Sequence, residues 1–206
     1  MPALITFDGP KGVGKTTLIR LVEDRLRELG HSVEALSEKS LMADVMGTAV
    51  DDAYYAIKCR PGSSSEEALA GLHRQGRLLI QQTRLCETAA DLLLLDRWYP
   101  SDAVFRRHID VAKAIQANLD AGVRIPNLAL AVTCDAAVSW ERALHRPRRL
   151  DSKVIETFDE HAESTKRFEA LALQFGWRLL RTEHATPEAL CSEVVELIER
   201  SMWLRR

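Results

Sequence analysis

Short apolar runs alternate along the chain with longer stretches in which apolar residues recur every third or fourth position. The runs at residues 3–7, 33–36, 91–96, 128–133 and 177–180 read as strands. Residues 92–95 are four consecutive leucines, the pattern of a strand buried on both faces. Between the runs, residues 15–29 carry Leu18, Val22, Leu26 and Leu29 at helical spacing, and Gly30 ends that helix. Residues 40–60 are weakly helical. Residues 60–65 form a Pro-Gly-Ser loop in which Ser64 and Glu67 have capping-box spacing, and a long helix is expected over 66–90. Further helices are expected over 101–120 with a break near 108, over 136–145, over 153–174, and over 187–202 with Pro187 in the first turn.

Five strands alternating with helices predict an α/β fold: a five-stranded parallel sheet flanked by helices. Such sheets bind ligands beyond the carboxyl ends of their strands. Phe7, Asp96 and Thr133 stand at those ends and mark where chemistry is to be sought.

The stretch from Gly9 to Thr16, Gly-Pro-Lys-Gly-Val-Gly-Lys-Thr, fits G-x-x-x-x-G-K-[ST] between a strand and an amphipathic helix. The glycines let successive backbone N–H groups wrap a chain of phosphates, and the following helix adds its positive end. Gly9, Pro10, Lys11, Gly12, Val13, Gly14, Lys15, Thr16 and Thr17 are therefore candidate ATP-binding residues. Lys15 is expected on the β- and γ-phosphates and the Thr16 hydroxyl on Mg²⁺. Asp96 and Arg97 end the four-leucine strand. The carboxylate can hold Mg²⁺ through water, and the guanidinium fork suits phosphate. A cluster of arginines (Arg142, Arg146, Arg148 and Arg149) brackets Pro147. It reads as a lid over roughly residues 142–153, with Arg146 and Arg149 expected to neutralise the moving phosphoryl group on closure.

Other users of this loop fit less well. A guanine reader of the Asn/Thr-Lys-x-Asp type is approached only by Thr165-Lys166-Arg167-Phe168, which lacks the acid. The two-lysine signature of partition ATPases needs one residue more than Lys11-Gly12-Val13-Gly14-Lys15 provides.

Composition narrows the picture. The 206 residues are 46% hydrophobic and 28% charged, which excludes disorder over most of the length and suits one domain spanning residues 1–206. A net charge of −2 argues against a nucleic-acid or anionic-membrane binder. Cys59, Cys86, Cys134 and Cys191 are far apart in sequence, as in a reduced cytoplasmic protein without a zinc pair. The first residues contain no basic stretch followed by a long apolar run, so neither a signal peptide nor a membrane span is expected.

The segment from Phe7 to Thr17, followed by Asp96-Arg97-Trp98-Tyr99-Pro100-Ser101, resembles the thymidylate kinases, a branch of the P-loop nucleoside monophosphate kinases. Weaker similarity lies at Pro126-Asn127-Leu128, at the stretch from Trp140 to Asp151, at Phe158 and at Arg167-Phe168. The resemblance implies a three-layer P-loop NTPase fold with an arginine-bearing lid. It implies transfer of the ATP γ-phosphoryl group to a nucleoside monophosphate, a pyrimidine deoxynucleotide by preference. It also implies a two-fold homodimer. By the same resemblance Arg97 and Ser101 lie at the acceptor, Lys39 takes the place of a family arginine, and either Arg74 or Arg77 contacts the acceptor base. Lys11 stands where the family usually has an aspartate that accepts the acceptor's 3′-hydroxyl, and Asp8 is placed to take over that contact. Two alternatives remain open here: a kinase of this fold acting on a nucleoside or another small-molecule hydroxyl, and an ATP-binding switch without an acceptor.

Overall fold

The computed structural model describes residues 1–145 and 155–203. Its strands are β1 (Ala3–Asp8), β2 (Val33–Ser37), β3 (Leu92–Asp96), β4 (Leu128–Thr133) and β5 (Arg178–Arg181). They form one all-parallel sheet in the order β2-β3-β1-β4-β5. The expected α/β architecture is thus present.

Alternation along the strands builds two cores. Ile5, Phe7, Leu92 and Leu94 point to the face covered by α1 (Lys15–Glu28) and α9 (Pro187–Trp203), with Leu18, Val22, Leu26, Val194 and Ile198. Leu4, Leu93 and Leu95 point to the opposite face, with Leu69, Ile80, Trp98 and Phe168. Every leucine of β3 is fully buried, which explains why that strand lacks any polar alternation.

The helices on the second face depart from expectation in instructive ways. The weakly helical stretch 40–60 is two helices, α2 (Glu38–Met46) and α3 (Ala49–Cys59), split at Gly47, whose φ is 55°. The long helix α4 runs Ser63–Thr83, earlier at both ends than expected. Gly62 precedes it and no side chain caps it, so the Ser64–Glu67 capping box does not form. The capping box lies instead at Thr157 and Glu160, where α8 (Phe158–Phe175) begins. At its far end α4 stops because Leu85 turns into the core, its N–H reaching back five residues to Ile80. The stretch 101–120 divides into α5 (Tyr99–Val104) and α6 (Val111–Asp120). Buried Glu66 causes the break by accepting the backbone N–H groups of Arg107 and His108. The remaining helix, α7 (Ala136–Leu144), follows β4. Among the described residues no helix is long and apolar enough to cross a membrane.

Candidate functional site

Two central strands, β1 and β3, deliver the site. Phe7 and Asp96 are register partners, so the glycine loop and the Asp-Arg turn leave the sheet side by side.

The loop takes its shape from its glycines. Gly12 has φ 82°, and a Cβ there would lie 1.9 Å from the carbonyl oxygen of Ser139 on α7. Gly9 is equally hemmed in: a Cβ would meet the Val132 carbonyl of β4 at 2.0 Å. Lys15, the first residue of α1, is buried and lies across the loop. Its Nζ donates to the Gly9 and Pro10 carbonyls at 2.9 and 2.6 Å. Thr16 and Thr17 follow, exposed at the helix N-terminus. A buried ammonium thus lies against the glycine turns at the N-terminus of α1, an arrangement that suits a polyanion. Gly12→Ala is expected to weaken ATP binding by at least tenfold and to cost about 1–3 kcal/mol of stability, since the methyl meets backbone that cannot step aside. Calorimetric titration with Mg·ATP and a thermal melt check this, and wild-type values for both would contradict the packing described.

Arg97 is the only non-glycine residue with positive φ among the described residues, at 74°. Such a conformation costs an arginine about 1–2 kcal/mol. It is held by the Arg97 N–H bond to the Phe7 carbonyl at 3.1 Å. The turn sends the guanidinium back toward the phosphate loop, where Nη1 donates to the Gly9 carbonyl and to Ser101 Oγ, both at 3.0 Å. Phe105 stacks against it at 5.6 Å.

Asp8 underpins this turn. Its Oδ1 accepts the N–H groups of Trp98 and Ser101 and the Ser101 hydroxyl, the last at 2.6 Å. Burial pushes its carboxyl up from the usual range, and the Ser101 hydroxyl and Trp98 N–H pull it partly back. Only Oδ2 has no partner among the described residues. Asp8 therefore serves first to lock β1 onto α5. Asp96 likewise keeps a buried Oδ1 without a partner. That orphaned carboxylate oxygen beside the glycine loop, with the exposed Thr16 hydroxyl, is the donor set a hydrated Mg²⁺ on a nucleotide would use. Among the described residues no group of three His, Cys, Asp or Glu side chains is placed to hold a metal by itself.

Beyond Arg97 opens a cavity of about 280 Å³. Lys11, Lys39, Arg97 and Ser101 line it together with Tyr54, His73 and Asp102, while Met42, Val50 and Phe105 supply apolar wall. Neither Arg74 nor Arg77 lines it. Arg77 is fully buried and holds a polar network together. Its Nε donates to Glu38 at 2.6 Å, its Nη1 donates to Asn118 at 3.0 Å and lies 3.7 Å from Asp102, and the guanidinium packs on Trp98. Asp102 also binds Arg106 and stands 3.7 Å from His73 Nε2. Burial lowers the Arg106 pKa and raises that of Tyr54, whose ring lies under the Arg106 guanidinium.

His73, Tyr54, Asp102 and Phe105 were not singled out from the sequence. The signal was available: His73 precedes Arg77 by one helical turn on α4, and Asp102 and Phe105 follow Ser101 by one and four residues. Of the arginine cluster, Arg142 lies on α7, exposed. Arg146, Arg148 and Arg149 fall outside the described residues.

No family model matches the chain. Among curated proteins, the thymidylate kinase of Geobacter sulfurreducens is 30% identical over 172 residues, 79% of this chain and 77% of its own length. The thymidylate kinase of Geobacter sp. strain M21 is 28% identical, covering 87% of this chain and 83% of its own. That of Bacillus licheniformis is 23% identical, covering 96% and 95%. With a glycine loop between a strand and a helix, an Asp-Arg turn bonded to it and a relative 30% identical over most of its length, the chain belongs to the thymidylate kinase family.

Proposed function

We propose that the chain is a Mg²⁺- and ATP-dependent phosphotransferase whose acceptor is a nucleoside monophosphate seated in the cavity beside Arg97. One observation carries this reading: the bond from Arg97 Nη1 to the Gly9 carbonyl, 3.0 Å long. It joins the triphosphate loop directly to the acceptor cavity, so donor and acceptor phosphates would meet around a single guanidinium. Phosphoryl transfer asks little covalent chemistry of the protein and much positioning and charge neutralisation. Lys15 and the loop N–H groups would hold the β- and γ-phosphates. Thr16 and Asp96 would hold the cation, which offsets charge on the transferred group. Arg97 would bridge the acceptor phosphate to the loop, with Lys39 and Lys11 adding positive charge at the cavity rim. Arg146 and Arg149 are proposed to close over the γ-phosphate and exclude water.

Arg97→Ala is expected to raise the acceptor KM and to lower kcat together, by about 10²–10³-fold in kcat/KM. Steady-state kinetics with coupled ADP detection measures both constants. An unchanged acceptor dependence would remove Arg97 from the acceptor site.

Lys11 favours a second reading of the acceptor. It lines the same cavity as the buried Asp102 carboxyl and His73 imidazole. A nucleoside or another hydroxyl compound would then be the acceptor on the same transfer machinery. A panel of nucleoside monophosphates, nucleosides and dTMP separates the two: preferred turnover of a monophosphate supports the first, and preferred turnover of an unphosphorylated acceptor supports the second.

A further inference from the structure

Behind the phosphate loop lies a buried pair that the transfer mechanism does not use. His161, in the first turn of α8, is fully buried, and its Nε2 lies 2.7 Å from Ser139 Oγ, also fully buried. The Ser139 carbonyl is the group packed against Gly12, where a Cβ would have 1.9 Å of room. One residue of α7 thus touches the loop with its backbone and His161 with its side chain. Trp140 meets the His161 ring at a tilt and the Phe158 ring edge-on, at 5.5 and 6.1 Å, and fastens the same two helices.

The hydrogen-bond inventory sets the direction. Ser139 Oγ donates to the Ala136 carbonyl at 3.2 Å, which leaves its lone pairs to accept from His161 Nε2–H. Nδ1 then carries a lone pair and has no partner among the described residues. Burial, and next the positive charge of Lys15, lower the pKa of His161, so the ring is neutral at pH 7. A neutral donor is what this position needs. A second cation behind Lys15 would oppose the ammonium that faces the phosphates.

We infer that His161 is a positioning residue for nucleotide binding, which fixes Ser139 and through it the tip of the phosphate loop at Gly12. This rests on the reading of residues 9–16 as the ATP site. Loosening the pair would let α7 withdraw from Gly12 and would weaken ATP binding without removing any group that touches ATP. Displacements of an ångström or less at such sites carry effects of about tenfold or more.

The test is calorimetric titration of the full chain with Mg·ATP and no acceptor, each protein also being melted thermally. His161→Leu and Ser139→Ala are each expected to weaken ATP binding by about tenfold at a temperature where they remain folded. The double variant should be no worse than the weaker single one, because each change breaks the same link. His161→Gln, which reaches to the Nε2 position with a neutral N–H, should bind within about threefold of wild type, and His161→Asn should not. A residue that merely fills the core would lower the melting temperature, leave the dissociation constant alone, and show no preference for glutamine over asparagine. Wild-type affinity in Ser139→Ala, or losses that multiply in the double variant, overturns the inference. Should His161→Leu be too unstable to titrate, Ser139→Ala set against His161→Gln decides in the same way. Lys15→Ala is the control that separates the two claims. If wild type binds Mg·ATP and Lys15→Ala does not, the loop reading stands whatever His161 does. If wild type does not bind, the loop reading fails and the inference falls with it.

Discussion

Lys15→Ala is expected to reduce phosphoryl transfer by about 10³-fold or more while the protein stays folded. The ammonium is buried at the centre of the loop, and it bonds two of the loop's own carbonyls at 2.9 and 2.6 Å. In that position it is surrounded by protein rather than water, so its attraction for developing phosphate charge is weakly screened. Alanine removes the charge and the two bonds from Nζ, while Gly9 and Gly12 stay packed against the backbone of β4 and α7. Single-turnover kinetics alongside a thermal melt measures the outcome. A variant with near-wild-type transfer would show that the loop does not carry the donor triphosphate.

Arg77→Ala should produce the largest loss of stability, about 3–5 kcal/mol. The guanidinium bonds the buried Glu38 side chain and is one of the cations around Asp102. Removing it leaves carboxylates in a region where Trp98, Tyr99 and Leu69 exclude water. A loss of that size lowers the melting temperature by roughly 10 °C for a chain of this length. Arg74, half-buried on the neighbouring face of α4, should tolerate the same change within about 0.5 kcal/mol. Melting curves of the two variants decide the matter. Equal behaviour would mean that the Arg77 network carries no net stability.

The parts of the site legible in the sequence are those whose chemistry is local. The glycine loop, its lysine and its threonine occupy eight consecutive residues, and the strand before them and helix after them are strongly patterned. Asp96 and Arg97 were equally plain, because four buried leucines can end only at a strand terminus. The cavity was harder to read, because its residues come from separate elements. Glu38, His73 and Asp102 of its wall, with Arg77 and Arg106 that bind them from behind, belong to α2, α4, α5 and the turn after it, and they meet only when those helices pack on one face of the sheet. An arginine and a glutamate in amphipathic helices look like solvated charges until burial is known. The choice between Arg74 and Arg77 could not be made from the sequence for that reason. Helix ends misled in a similar way: the serines at 63–65 look like a loop, yet they begin α4, while Glu66, one residue on, is withdrawn to bind the 107–108 backbone. The bonds of Asp8 to Trp98 and Ser101 also needed coordinates, since only they show one of its oxygens bracing the Arg97 turn.

The most direct measurement follows the labelled γ-phosphate of ATP in the presence of Mg²⁺ and single nucleoside monophosphates. The label should appear in a nucleoside diphosphate, should depend on Mg²⁺, and should vanish with Lys15→Ala and fall steeply with Arg97→Ala. Release of the label only as inorganic phosphate, at a rate that no small acceptor changes, would contradict the account.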